Sequence, residues 1–324
     1  MKNFRFILLL SFVVLLGCER NKDQAALAKE NSIKDQHGRL CKTYEVFAEQ
    51  LKQDPSLQKR MDEIENFTLR YMKDPAAYRL LADGTLELPV VVNVLYNTAA
   101  QNISERQINS QIDVLNEDFA ATNKDLFSTS TYNNVKSGNI KIKFVLQKIV
   151  RKNTPITAFF TDNAMKNSKR GGIDATSPET TLNIWVCNMV GGILGYAQFP
   201  GGNKATDGVV ITTLAFGRGR AYNLYEEFDL GRTTTHEVGH YFNLRHIWGD
   251  RKCGDDRVDD TPLHATYNFG CPPVNKISTC DGSIEMTMNY MDYTDDACMY
   301  MFTQKQALRM QATYAVGGPR ETLR

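Results

Sequence analysis

The run His236-Glu237-Val238-Gly239-His240-Tyr241-Phe242-Asn243-Leu244-Arg245-His246 decides how the chain is read. On an α-helix, positions i and i+4 share a face, so His236 and His240 can grip one metal ion together. Glu237 stands on the same turn as the first histidine. A carboxylate there can take the proton of a water on the metal and pass it to a leaving amine. The chain has five histidines and three fall in this run, which argues against a chance pair on a surface helix. His246 follows His240 by six residues, where a helix continuing straight would not aim it at the same ion. The chain must therefore turn between them. Three protein ligands with a fourth position left to water is the donor set of catalytic zinc. His236, His240 and His246 are thus the expected Zn²⁺ ligands, and Glu237 the expected general base.

The extended motif HExxHxxGxxH of the metzincins carries glycine at that turn, because the residue there is left-handed. This chain has Asn243, the next most tolerant residue at positive φ. Metzincins also carry a methionine turn below the metal, and Asn289-Tyr290-Met291-Asp292-Tyr293 resembles it. Met291 is then expected as the apolar floor under the histidines. Tyr293 is expected to swing its hydroxyl toward the metal or the tetrahedral intermediate.

With 324 residues the chain can bury a full core in one large or two smaller domains. A net charge of +1 offers no basic field for nucleic acid, and no nucleic-acid partner is expected. Lys2 and Arg5 precede an apolar stretch over Phe6 to Leu16 that ends in Leu15-Leu16-Gly17-Cys18. That is a secretory signal, and its ending resembles a bacterial lipobox, with cleavage before Cys18 and lipidation of its thiol. The expected location is the bacterial cell envelope as an outer-membrane or surface lipoprotein, released once a propeptide is removed. Its lipid anchor would meet the membrane without spanning it. The expected organisation is signal peptide 1–17, tether and propeptide 18–80, and catalytic domain 81–324. Seven cysteines remain to be placed, at 18, 41, 187, 253, 271, 280 and 298. An exported protein permits disulfides, but the four at 253–298 allow three pairings that sequence alone does not choose between.

Residues 43–73 have helical spacing, and Pro75 with Asp83-Gly84 marks a boundary after them. The β-branched run 88–96 reads as a strand. Ser104 to Phe119 reads as an amphipathic helix with Ser104 as N-cap and Ile108, Ile112, Leu115 and Phe119 on one face. Ile140 to Leu146 alternates as a half-buried strand. Strands are expected at 182–190 and 208–212, with a Gly-rich loop of extended middle, 191–202, between them. This order points to a mixed α/β layer.

Several stretches together resemble the pappalysin family of metzincins, in its microbial ulilysin-like or cytophagalysin-like branch. They are Thr235 to His240, Arg245 to Asp250, Cys253-Gly254-Asp255-Asp256, Asp260-Thr261-Pro262, Gly270-Cys271-Pro272, Met288 to Cys298, and the strand-loop from Leu182 to Pro200. The likeness runs from about Arg39 to Met310. It implies an α/β (α+β) metzincin-type catalytic domain: a twisted mixed sheet with backing and active-site helices above the cleft, and an irregular, disulfide-stapled part below. It implies the bridges Cys253–Cys280 and Cys271–Cys298. It implies structural Ca²⁺, for which Asp255, Asp256, Asp259, Asp260 and Thr261 offer hard oxygens in one loop. It also implies a cysteine-switch zymogen, in which Cys41 of Arg39-Leu40-Cys41 is the fourth zinc ligand of the latent form. Here Lys42 stands where the family usually has glycine. Cleavage before Arg or Lys (the P1′ position) follows from the branch, with Asp295 or Asp296 lining the pocket. Arg60, Arg70 and Arg79 lie where self-processing would cut.

The function these expectations describe is a secreted zinc endopeptidase, monomeric, acting on protein or peptide substrates. Gly195, Tyr196, Ala197 and Gln198 would pair as an edge with an extended substrate backbone. The alternatives are a zinc-stabilised, non-catalytic surface lipoprotein and a hydrolase of other amides. Glu237 tells against the first, since a structural site has no use for a carboxylate beside an open position.

Overall fold

The computed structural model describes residues 38–78, 84–126 and 128–323. The signal segment, Cys18 and Arg79 lie outside them. The stretch 43–73 forms two helices, α1 (Thr43–Gln53) and α2 (Ser56–Lys73). Pro55 separates them, since it has no N–H to continue the first. Strand β1 (Leu86–Tyr96) follows, then α3 (Glu105–Ala120), whose Ser104 hydroxyl accepts from the Gln107 N–H as expected of its cap. Strand β2 (Ile142–Asn153) runs longer than its alternating start suggests. Strands β3 (Leu182–Cys187), β4 (Gly195–Ala197) and β5 (Val209–Thr212) complete one sheet of order β2-β1-β3-β5-β4. The extended middle of the Gly-rich loop is thus itself a strand, β4.

All pairings are parallel except β4 with β5, so β4 is an antiparallel edge. The centre of β1 is buried almost without interruption, as parallel strands covered on both faces are. Pro89 lies before the pairing with β3 begins at Val90, where β1 has a neighbour on one side and a missing N–H is tolerated. At the far edge, β2 carries Lys148, Arg151 and Lys152, charges that discourage further strand addition.

Helix α4 (Arg232–Tyr241) follows the sheet, and α5 (Gln304–Tyr314) closes the chain. Between them, residues 242–303 contain no regular strand and no α-helix. Two disulfides, Cys253–Cys280 and Cys271–Cys298, staple this stretch. They are the bridges the family resemblance implied. Residues 37–324 form one compact unit, with the segment before β1 packed into it. Phe67 and Tyr71 of α2 bury against Ala312 and Ala315 at the end of α5. No described helix is long and apolar enough to cross a membrane.

Candidate active site

Helix α4 is buried along its whole length, and its C-terminus supplies the turn that the third histidine needs. Asn243 has φ +70°. The Leu244 N–H donates to the Gly239 carbonyl at 3.0 Å and the Asn243 N–H to the His240 carbonyl at 2.9 Å. This double bond is the Schellman ending of a helix. It folds Leu244 to His246 back beneath the helix, so the substitution of Asn for Gly costs the turn nothing in geometry. Asn243→Val should lower stability by about 1–2 kcal/mol, because a β-branched residue resists the left-handed region, while Asn243→Gly should not. Thermal unfolding of both variants checks this, and a Val variant as stable as the parent would refute it.

The three imidazoles converge. His240 Nε2 lies 3.2 Å from His236 Nε2 and 3.1 Å from His246 Nε2. The opposite nitrogens face acceptors: His236 Nδ1 the Tyr290 carbonyl at 2.7 Å, His240 Nδ1 the Leu244 carbonyl at 2.7 Å, and His246 Nδ1 the Asp250 carboxylate. Each Nδ1 must therefore donate, which leaves a lone pair on every Nε2. Burial, and then the neighbouring imidazoles, holds the pKa values of His236 and His240 well below normal, so neither is a cation. Three lone pairs pointed at one another repel unless a cation sits among them, and nitrogen donors of this kind suit zinc. Cys41 Sγ completes the group, with all four ligand atoms within 4.8 Å of one another. Among the described residues this is the one cluster of three or more His, Cys, Asp or Glu close enough to hold a metal.

Glu237 is 1% exposed, and burial raises its pKa to about 7. Its Oε2 accepts from the Thr43 hydroxyl at 2.9 Å and faces Cys41 Sγ at 3.5 Å, whereas Oε1 has no hydrogen-bond partner. A side chain on Gly195 would press to 3.0 Å from Glu237 Cγ, so glycine there lets β4 pass close over the carboxylate. Met291 is fully buried below α4, and a Cβ on Gly239 would come within 2.6 Å of its sulfur. Tyr293 donates its hydroxyl to the Cys41 carbonyl at 3.0 Å, and its ring lies 4.9 Å from that of His246.

A search of family models matches residues 174–315 to the peptidase family described as pregnancy-associated plasma protein-A. The extracellular metalloprotease of Verticillium alfalfae is 32% identical over 244 residues, covering 70% of this chain and 78% of that protein. That of Arthroderma benhamiae is 34% identical over 247 residues, covering 70% and 73%. The chain belongs to the pappalysin family of metallopeptidases. Among solved structures, this peptidase is similar to Tannerella forsythia mature mirolysin in complex with a cleaved peptide, with 43% identity, a TM-score of 0.71, and 74% of this chain and 95% of that one covered. It is similar also to a promirolysin mutant from the same organism, with 40% identity, a TM-score of 0.78, and 88% and 97% covered. The family implies zinc, which the histidine cluster fits. The non-catalytic alternative falls with this assignment.

Other expected site residues of the peptidase divide. The β4 edge expected to meet substrate is paired with the segment 40–42: Leu194 N–H donates to the Leu40 carbonyl and Lys42 N–H to the Gly195 carbonyl, both at 3.0 Å, in a parallel bridge. Ala197 N–H donates to the Thr43 hydroxyl at 2.8 Å. Tyr196 instead pairs with Val210 on β5. Gln198 does not belong to the edge, because its N–H donates to the Gly208 carbonyl and its own carbonyl accepts from Arg320. Of the two acidic pocket candidates, Asp296 is fully buried and pairs with Arg39 at 2.6 Å. Asp295 is partly exposed, and the Arg39 guanidinium bonds Asp296 instead.

The five expected calcium ligands divide: the Thr261 hydroxyl lies 3.0 Å from both Asp256 carboxylate oxygens, while the other three make separate contacts. Asp260 accepts from the Thr303 hydroxyl at 2.6 Å and the Lys305 N–H at 2.9 Å, which caps α5. Asp259 pairs with Lys305 at 2.8 Å. Asp256 accepts from Thr261 and from the Val258 N–H, and Asp255 from the Arg257 N–H. Arg60 and Arg70 both lie within helix α2. Asp250, which orients His246, and Thr43, which holds Glu237, were not singled out from sequence. The spacing of Asp250 four residues after His246 was the available signal for the first.

Proposed function

We propose that this chain is exported as a latent zinc endopeptidase, that Cys41 occupies the fourth position at the metal until the segment before β1 is removed, and that Asp296 selects Arg or Lys on the primed side of the scissile bond. The observation that carries the reading is the placement of Cys41 Sγ in the same small group as the three histidine nitrogens. The greater coverage of the proenzyme neighbour than of the mature one, 88% against 74% of this chain, supports a propeptide at the N-terminal end. The extracellular relatives and the signal-like start support export. A lipid anchor at Cys18 remains part of the proposal.

Zinc at the three histidines supplies the Lewis acidity that brings the pKa of water toward ~7. The chain's own groups do the rest. The segment 40–42 lies on the β4 edge, where an extended substrate would pair by main-chain bonds. Glu237, freed of Cys41 and Thr43, takes the water's proton and delivers it to the departing amine. Tyr293, whose hydroxyl donates to the Cys41 carbonyl, would donate to the oxygen of a substrate carbonyl at the same point.

The contacts of Arg39 support the reading of Asp296 as a pocket for a basic side chain. It is 1% exposed and donates to Asp296 Oδ1, to the Thr233 hydroxyl at 2.8 Å and to the Thr294 carbonyl, while its guanidinium covers the Phe228 ring at 5.0 Å. Asp296 Oδ2 is held by the N–H groups of Leu230 and Arg232, which fixes the carboxylate before any substrate arrives. Asp296→Asn should keep that backbone support and lose the charge. In peptide-library digests by the processed protein, the preference for Arg or Lys over uncharged residues should fall by at least about ten-fold. A profile unchanged by the substitution would remove Asp296 from the pocket.

A further inference from the structure

The segment before β1 is held to the rest of the chain at a second charged point, on the side of Cys41 away from Arg39. Glu65 of α2 is mostly buried, with its side chain 14% exposed. Its two oxygens accept from the Arg309 guanidinium at 3.0 and 2.5 Å, a two-pronged fork, and Oε2 also meets Arg257 at 3.0 Å. Burial opposes ionisation of Glu65, but the two arginines outweigh it and hold its carboxyl below the ordinary range. Arg309 is 1% exposed, and its Nε donates to the carbonyl of Asn243, in the turn between the second and third histidines. Alongside is a cleft of about 260 Å³ lined by Tyr44, Arg245, Asp250, Arg251 and Arg257. This cleft reaches His246 through Asp250.

Removing the segment removes Glu65 and Tyr44 but leaves the arginines. Guanidinium groups do not deprotonate in proteins, so this cluster cannot shed its charge. The neighbouring acids are engaged elsewhere: Asp250 with His246, Asp255 with the Arg257 N–H, Asp256 with Thr261, and Asp259 with Lys305. None of these four bonds the Arg257 or Arg309 guanidinium. A bidentate guanidinium beside the cleft, stripped of its carboxylate, is a ready receptor for another one.

We propose that Arg257 and Arg309, with Arg245 beside them, form a carboxylate-binding subsite that Glu65 fills in the latent chain and that an acidic side chain of a peptide substrate fills after processing. Arg39 and Glu65 lie on opposite sides of Cys41 in the chain, and each meets a pocket of opposite charge. The subsite is assigned to the side of the metal away from the Arg39–Asp296 pair, so favoured substrates carry Asp or Glu before the scissile bond and Arg or Lys after it. This rests on the peptidase and zymogen readings above.

The test uses protein that has processed itself from the full chain. Peptides share one Arg after the scissile bond and carry a single Glu, Gln or Lys moved through the positions before it. At one position Glu should exceed Gln in kcat/KM by about ten-fold. Arg257→Gln should bring that ratio near one, and Arg257→Glu should turn the preference toward Lys. Each ratio is taken on one enzyme preparation, so a misfolded fraction cancels. Equal cleavage of Glu and Gln peptides at every position, or a preference that survives both Arg257 variants, overturns the subsite and leaves the peptidase reading standing. Protein that cleaves no peptide and keeps its own N-terminal segment overturns both.

Discussion

Glu237→Ala should yield a chain that binds zinc and never processes itself. The metal is held by His236, His240 and His246, and their Nδ1 partners are Tyr290, Leu244 and Asp250, none of which involves Glu237. Removing the carboxylate therefore leaves the donor set intact. What is lost is the group that takes a proton from water and returns it to the amine, a contribution of about 10²–10⁴-fold in rate. The unpartnered Glu237 Oε1 is consistent with that role, since a buried acceptor without a donor costs stability and is retained where chemistry uses it. The check is metal content by elemental analysis alongside a time course of the purified variant on a gel. Continued self-processing with zinc bound would sink the general-base role. Loss of zinc along with activity would show that Glu237 supports the metal and not the proton transfer.

Cys41→Ala should abolish latency: the full-length protein should cleave a peptide from the moment it is isolated, without the lag of the parent. Burial and then Glu237 push the Cys41 thiol well above its usual pKa. A zinc ion held by the imidazoles would reverse that preference, because a coordinating thiol is deprotonated outright. Cys41 would then exclude water from the fourth position. Arg39 and Glu65 also tie the segment down, so the variant should still fold with the segment docked. Breaking a buried ion pair costs about 3–5 kcal/mol, which is why Arg39→Ala should shorten the lag as well, by loosening the segment and leaving the thiol in place. Activity from time zero in the Cys41 variant and an intermediate lag in the Arg39 variant would fit. A Cys41 variant with the parent's lag would show that the segment blocks the cleft by bulk alone.

The contrast between Cys41 and Arg39 reflects how much was legible beforehand. Cys41 could be singled out because the family resemblance implies a cysteine switch upstream of the zinc motif. Arg39, two residues away, carries no such signal. Its partner Asp296 lies 257 positions downstream. The acidic run 255–260 likewise does not show from sequence which partner each carboxylate meets. Folding sent Asp260 to the N-terminus of α5, where unpaired N–H groups need an acceptor.

What the sequence by itself determined is therefore the local chemistry of the centre. Helical periodicity puts His236 and His240 on one face, and the tolerance of asparagine for positive φ makes the turn to His246. A methionine and a tyrosine stand at the right distance downstream. These depend on backbone rules acting over a few residues. The tertiary structure alone decided which carboxylate faces a basic side chain, what lies against the β4 edge, and where Glu65 finds Arg309. Such pairings join residues hundreds of positions apart. They are settled by packing and by the cost of leaving a buried charge unpaired, neither of which leaves a period in the sequence.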